Sequence, residues 1–399
     1  MTTTRWLFAL QLVAMGAMEM SGPFWPLHLR RLGELSPHAL AWVSAIAYAG
    51  PMAMAMCTTP WWGRVGDRVG HKTMLLRALL ALAATQWWIA ATDSVAVILV
   101  VRLLQGALAG TIAAAQAYGA RLVTRQARGA LMAQLQVATA LGSVAGPVLG
   151  GWLFDARGFG AVNVWAGAAC LACAAVAAAV LPSVAPVPAA RTDAVRPRMA
   201  RLAGGAHGLL LGIVLVQAGK MMPQTFFGLY AAEVLHVSSR VTGLCHAGTA
   251  LGLCVAAPFW ARRFARMPRA RVLAQVEGIL WACVAIVALQ ALATDVVLFV
   301  LARVLWGVCL AALLPVFYGL LSRDASDDAQ GRVLGAGNAA AKAGALVGAG
   351  AGGLALAWVP LPAMFWTVAL LYVAAALGMR AIRARATAFQ PIQTPTGMS

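Results

Sequence analysis

Five charged side chains lie inside otherwise apolar runs: Glu19, Arg102, Lys220, Arg303 and Lys342. A charge near the centre of a bilayer costs at least a few kcal/mol, so it faces a cavity or a partner. Glu19 is the single acid of "LVAMGAMEMSGPFWPL", Leu12 to Leu27. Burial disfavours an ionised carboxyl and a nearby cation favours it. An acid balanced between the two can take up a proton in one state and release it in another. Glu19 is therefore read as a proton-coupling or substrate-contacting group beside Arg102; a permanent structural ion pair between them is the alternative. Their depths below the outer surface differ by roughly 4–5 Å at 1.5 Å per residue. Gln11, Gln105, Gln217 and Gln224 could add hydrogen bonds, and Tyr48, Phe226, Phe227, Tyr230, Trp306 and Tyr318 aromatic walls. Glu277 lies nearer the basic loops and is expected to pair with one.

The elements that must position these groups are membrane spans. The 399 residues are 62% hydrophobic and 11% charged, against roughly 45–50% apolar and about 25% charged in soluble domains. Apolar runs of about twenty residues, enough to cross a core of about 30 Å, recur at 6–29, 39–62, 73–92, 95–119, 129–153, 161–182, 207–232, 241–260, 272–293, 296–319, 331–357 and 361–380. This predicts an all-α integral membrane protein with twelve transmembrane helices. The first run is too long for a signal-peptide core and has no small-residue cleavage site. Twelve crossings put both ends on one side. With that side inside, inner loops and tails hold 22 of the 30 Lys and Arg, outer loops only Arg30, Arg31, Arg157 and Arg240. The positive-inside rule thus predicts cytoplasmic termini, in a bacterial inner membrane.

The net charge of +18 is explained by these loops, so no nucleic-acid partner is expected. All seven cysteines fall in apolar runs; the Cys170–Cys173 CxxC has no neighbouring ligands in sequence, and neither metal nor cofactor is expected. Trp61 and Trp62 are read as interfacial anchors. No nucleophile–base set or nucleotide loop points to an enzyme.

The two halves repeat at a nearly constant offset. "FWPLHLRRLG" from Phe24 matches "FFGLYAAEVL" from Phe226, 202 positions on; "TPWWGRVGDRVGHK" matches "APFWARRFARMPRA" at 198; Arg102–Gly106 matches Arg303–Gly307 at 201; Gly142, Gly146, Gly150 and Gly151 match Gly344, Gly348, Gly352 and Gly353 at 202. The domains are then 1–182 and 207–380, six helices each, with a Pro-, Ala- and Arg-rich cytoplasmic linker at 183–206 and a tail at 381–399. Two parallel six-helix halves place a substrate site near the midplane between them.

Three stretches carry a family resemblance. "GRVGDRVGHKTMLL" (63–76), "RLLQGALAG" (102–110) and "GSVAGPVLGG" (142–151) resemble the loop, helix-4 and antiporter motifs of the major facilitator superfamily, in its drug:proton antiporter branch. The glycines Gly63, Gly66 and Gly70 of the first would allow a tight turn. The resemblance implies that Asp67, set among Arg64, Arg68 and Lys72, latches a cytoplasmic gate against the start of helix 11; Ala265 stands where a second acid would fall. In the third motif, Gly142, Gly146 and Gly150 share a face that lets another backbone approach, with Gly151 beside them. Pro147 removes a hydrogen bond, and the resemblance implies a bend that biases the carrier to export. Helices 1, 4, 7 and 10 of the family line the cavity and carry four of the five deep charges; the candidate lining groups are Gln105, Gln217, Lys220, Gln224, Phe227, Arg303, Trp306 and, on span 11, Lys342. The expected activity is proton-driven export of a small organic molecule by a monomeric carrier. One deep acid against four deep bases favours a neutral, zwitterionic or acidic substrate. "MEMSGPFWPL" is similar to the entry of siderophore exporters, which ranks a siderophore-like metabolite first and multidrug efflux second; an importer or facilitator is a further alternative.

Overall fold

The computed structural model describes residues 3–33, 35–124, 126–183, 206–323 and 327–388. The linker reading at 183–206 therefore falls almost wholly outside the described residues. All regular structure among the described residues is helical, as lipid demands, since only a helix or a closed barrel satisfies every backbone polar group there.

Span 1 is α1 (Thr3–Glu19) and α2 (Trp25–Leu32), separated by a single 3-10 turn at Gly22–Phe24. Span 2 is α3 (Pro37–Val69) and span 3 is α4 (His71–Ala90). Span 4 is α5 (Val95–Leu108) and α6 (Thr111–Leu122), broken at Gly110. Spans 5 and 6 run on as α7 (Arg128–Val180), turned at Gly158 with φ 80°, a conformation open to glycine. Span 7 is α8 (Ala206–Met221) and α9 (Phe227–Glu233) around a 3-10 turn at Met222–Thr225. Spans 8 to 12 are α10 (Ser239–Ala265), α11 (Arg269–Leu292), α12 (Val296–Arg323), α13 (Asp327–Ala355) and α14 (Met364–Ala388). Ten segments pass as membrane-crossing by length and hydropathy alone. α7 contains two crossings, and the Gly- and Ala-rich α13 packs between α3 and α8, which completes twelve.

Three differences from the sequence reading have plain causes. Spans 1, 4 and 7 are not continuous helices: Gly110 turns span 4 at φ 99°, and Pro23 and Pro223 sit in the first turn of each 3-10 segment, where a missing N–H and a clash with the carbonyl four residues back end the helix. The basic motif is not a loop with three turning glycines. α3 continues through Gly63, Gly66, Asp67 and Arg68, and only Gly70, at φ 94°, makes the turn. The final helix runs to Ala388, eight residues into the expected tail.

The glycine rows pack both halves identically. A Cβ on Gly142 would sit 2.6 Å from the Leu12 carbonyl oxygen, on Gly146 against that of Gly16, and on Gly150 against that of Met20. In the second half Gly344, Gly348 and Gly352 stand equally close to the carbonyls of Val214, Ala218 and Met222, each 202 positions on. Helix backbones thus meet without side chains between them. Aromatic clusters fix the ends of the same helices: Trp25 packs edge-on to Phe159, and Tyr230 and Phe226 edge-on to Phe365.

Gly146→Leu should lower the thermal midpoint of the purified protein by the equivalent of about 1–3 kcal/mol, the usual cost of overpacking, because its side chain meets the Gly16 carbonyl and the Glu19 Cβ. Gly278→Leu, which meets nothing within 4 Å, should leave the midpoint unchanged. Equal midpoints for the two variants would show that the row is loosely packed.

Candidate functional site

Glu19 is the last residue of α1 and the span breaks immediately after it. Its Cβ lies against Gly146 of α7, beside the Gly16 carbonyl, so its carboxyl is delivered from a rigid helix end. It lines a cavity of about 610 Å³ between the halves, with Met15 of α1, Gln136, Thr139 and Ser143 of α7, Lys220 of α8, Gln224 of the 3-10 turn, His246 and Thr249 of α10, and Arg303 and Trp306 of α12. The volume suits a drug-sized molecule. The lining continues along α7 to Gln136 and along α10 to Pro258, towards the face that carries both ends of the described chain.

Across the opposite face the halves are joined. Gly228 meets the Pro23 carbonyl, Gly243 meets that of Pro147, Gly151 meets that of Ser239, and Gly353 packs on Ala45. Asp155 of α7 accepts hydrogen bonds from the backbone N–H groups of Ser239 (3.0 Å) and Arg240 (2.9 Å). These are free donors at the first turn of α10, and the helix dipole favours an anion there. The Arg240 side chain lies 3.6 Å from the same carboxylate, and Arg30 pairs with Glu233.

Lys220, Gln224, Arg303 and Trp306 line the cavity as read from sequence. Phe227 is fully buried beneath Arg303, whose guanidinium lies 4.5 Å from the ring centroid. Arg102 and Gln105 are elsewhere. Arg102 donates from Nε to the Ala47 carbonyl (2.9 Å) and from Nη1 to Gln105 Oε1, over the Trp25 ring at 4.8 Å; Gln105 in turn donates to Thr85. Among the described residues no ion pair within 4.0 Å joins Glu19 to Arg102 or Lys220. Gln217 packs against Gly344, and Lys342 is exposed on α13 outside this cavity. Gln11 donates to Thr139 and ties α1 to α7. The hydroxyl of Tyr48 donates to the Gly22 carbonyl freed by the break in span 1.

Asp67 lies 3.7 Å from His71 and 4.0 Å from Arg121, both in its own half. Lys72 donates to the Ala178 and Leu181 carbonyls at the end of α7, while Arg68 is exposed. Two expectations change. Glu277 pairs with Arg383 of α14 at 3.1 Å, not with the neighbouring loop, because α11 and α14 are packed together. Trp61 is exposed, but Trp62 is no interfacial anchor: its Nε1 donates to the Ala107 carbonyl (2.7 Å) and Arg77 stacks on its ring. Asp155, His246 and Thr249 were missed by sequence reasoning. His246, a lone histidine inside an apolar run, was the available signal; Asp155 had none, since its partners are backbone atoms 84 and 85 residues away.

The model of the Major Facilitator Superfamily matches residues 7–204 and 209–395, and the chain belongs to this family. It is accordingly a multi-pass membrane transporter and not an enzyme. It is 30% identical over 158 residues to the Staphyloferrin B transporter of Staphylococcus aureus, a match covering 40% of this chain and 38% of that protein. It is 26% identical over 365 residues to the uncharacterized MFS-type transporter YuxJ of Bacillus subtilis, covering 89% and 91%. It is 27% identical over 136 residues to multidrug resistance protein MdtG of Proteus mirabilis, covering 34% of each. The chain thus matches only about two fifths or less of the first and third of these relatives. Among solved structures, the nucleoside transporter NupG superposes with a TM-score of 0.73 at 12% identity over 96% of this chain and all of that one. A D-xylose–proton symporter gives 0.73 at 16% over 94% and 96%. At such identities the likeness is one of fold.

Asp155→Ala removes charge-assisted hydrogen bonds worth roughly 1.5–3 kcal/mol each, enough to move a two-state equilibrium at least tenfold. A cysteine at Ala250 of the cavity, in a background without native cysteines, should then react faster with an impermeant thiol reagent added to the face opposite the termini. An unchanged rate would deny Asp155 any part in closing that face.

Proposed function

We propose that the chain is a proton-coupled secondary exporter of a small organic molecule, working by rocking of its two halves, with its termini in the cytoplasm of a bacterial cell and the gradient of protons as its only energy source. The carrying observation is a carboxyl fixed at a helix break inside the membrane and facing a cavity shared by both halves. In the orientation given by the basic loops, the cavity faces the cytoplasm and the closed face is external. Asp67, turned to Arg121 in this state, would engage the start of span 11 when the carrier faces outward. A siderophore-like metabolite is the first substrate reading, supported by the similarity to a Staphyloferrin B transporter. Multidrug efflux is the second, supported by the MdtG relatives.

Comparing metabolites in medium from cells with and without the gene, iron-replete and iron-starved, tests direction and substrate together. Release that is independent of the gene would refute export. In proteoliposomes Glu19→Gln should lose uphill, pH-driven efflux by tenfold or more and keep substrate-for-substrate exchange, which moves no net proton. Intact pH-driven accumulation in this variant would remove Glu19 from coupling. Asp67→Asn should slow transport severalfold without lowering the amount in the membrane, and full transport would end its gate role.

A further inference from the structure

The internal repeat supplies a control for one side chain in the cavity. Arg102 and Arg303 are equivalent at an offset of 201. Each points Nε at an equivalent carbonyl, Ala47 at 2.9 Å and Cys245 at 3.4 Å. Each lies over an equivalent ring, Trp25 at 4.8 Å and Phe227 at 4.5 Å. The difference is three residues on. Arg102 donates from Nη1 to Gln105; the equivalent of Gln105 is Trp306, an indole with no acceptor to offer. Arg303 is 3% exposed, and its Nη1 is buried without a hydrogen-bond partner.

A buried guanidinium with a free donor is expensive unless something supplies an acceptor. Two neighbours on the same cavity wall share the condition: His246 Nδ1 and Thr249 Oγ1 are also buried without partners. Lys220 and Gln224 approach from span 7. The second half thus gathers unpartnered polar groups on one wall, and Glu19 faces them from the first half. A planar carboxylate matches the fork of an arginine with two parallel hydrogen bonds.

We propose that the α10–α12 wall is a carboxylate subsite, with Arg303 as its principal ligand and His246, Thr249 and Lys220 around it, so that the transported molecule carries at least one carboxylate. This rests on the transport reading only for placing the cavity on the substrate's path. The molecule's carboxylate end lies on Arg303 and its N–H or O–H donors lie towards Glu19. Ionised Glu19 accepts from those donors, while the charge that holds the substrate stays on the far wall.

The test is binding by the purified full-length protein, read as the shift in thermal midpoint with citrate as the probe. Triethyl citrate serves as the uncharged analogue and inorganic phosphate as the other oxyanion, all at one ionic strength set with chloride. Citrate should raise the wild-type midpoint by several degrees, with little effect of the ester or of phosphate. Arg303→Gln should need at least tenfold more citrate for the same shift. So should Trp306→Gln, which keeps the charge and restores the internal acceptor seen in the first half. Glu19→Gln should keep the shift or enlarge it, because a negative charge facing the anion is gone. No citrate shift in the wild type, an equal shift with the ester or with phosphate, or an Arg303→Gln response equal to wild type would each overturn the proposal. The readout needs no flux, so a failed export assay leaves it standing, and a failed citrate response leaves export standing.

Discussion

Everything in the carrier's centre depends on three backbone contacts made twice. Gly142, Gly146 and Gly150 lie on the carbonyls of Leu12, Gly16 and Met20, and their repeats lie on Val214, Ala218 and Met222. Apolar side chains cannot hold helices together in lipid, which is as apolar as they are; close packing must do it. With no side chain between them, the two helices cannot slide or rotate past one another. The third contact falls where span 1 breaks, and the second carries the Glu19 Cβ. The same contact that builds each half therefore aims the acid of the first half and the 3-10 turn bearing Gln224 in the second.

The two halves use one scaffold for two electrostatic ends. In the first, Arg102 donates from Nε to Ala47 and from Nη1 to Gln105 and lies over the Trp25 ring. In the second, the equivalent arginine keeps the ring and the carbonyl and loses the amide. A cation whose donors are consumed cannot bind a ligand strongly; one with a donor left over can. At the arginines the difference in hydrogen bonding lies in one pair of positions, Gln105 and Trp306.

The closed face shows how such a frame can switch. Asp155 satisfies two free N–H groups at the start of α10, a contact that exists only while spans 5 and 8 touch. Asp67 meanwhile is held within its own half by His71 and Arg121. Asp155 thus bridges the halves through a helix start, while the described ion-pair partners of Asp67 lie in its own half.

The sequence by itself determined the twelve crossings, the repeat and the family, because hydropathy, spacing and glycine periodicity are local properties that lipid reads directly. Glu19, Lys220 and Arg303 were visible for the same reason: charge inside an apolar run stands out. Helix breaks at Pro23 and Pro223, the helical course of the 63–69 segment and the partners of Glu277 and Trp62 were decided by tertiary structure. Proline only permits a break, and which helix end a side chain meets depends on crossing angles set far away in the chain. The separation of Arg102 from the cavity and the burial of Arg303's unpartnered donor in its wall belong to the same class. Both arginines look alike in sequence, and only packing determines which donors are already taken.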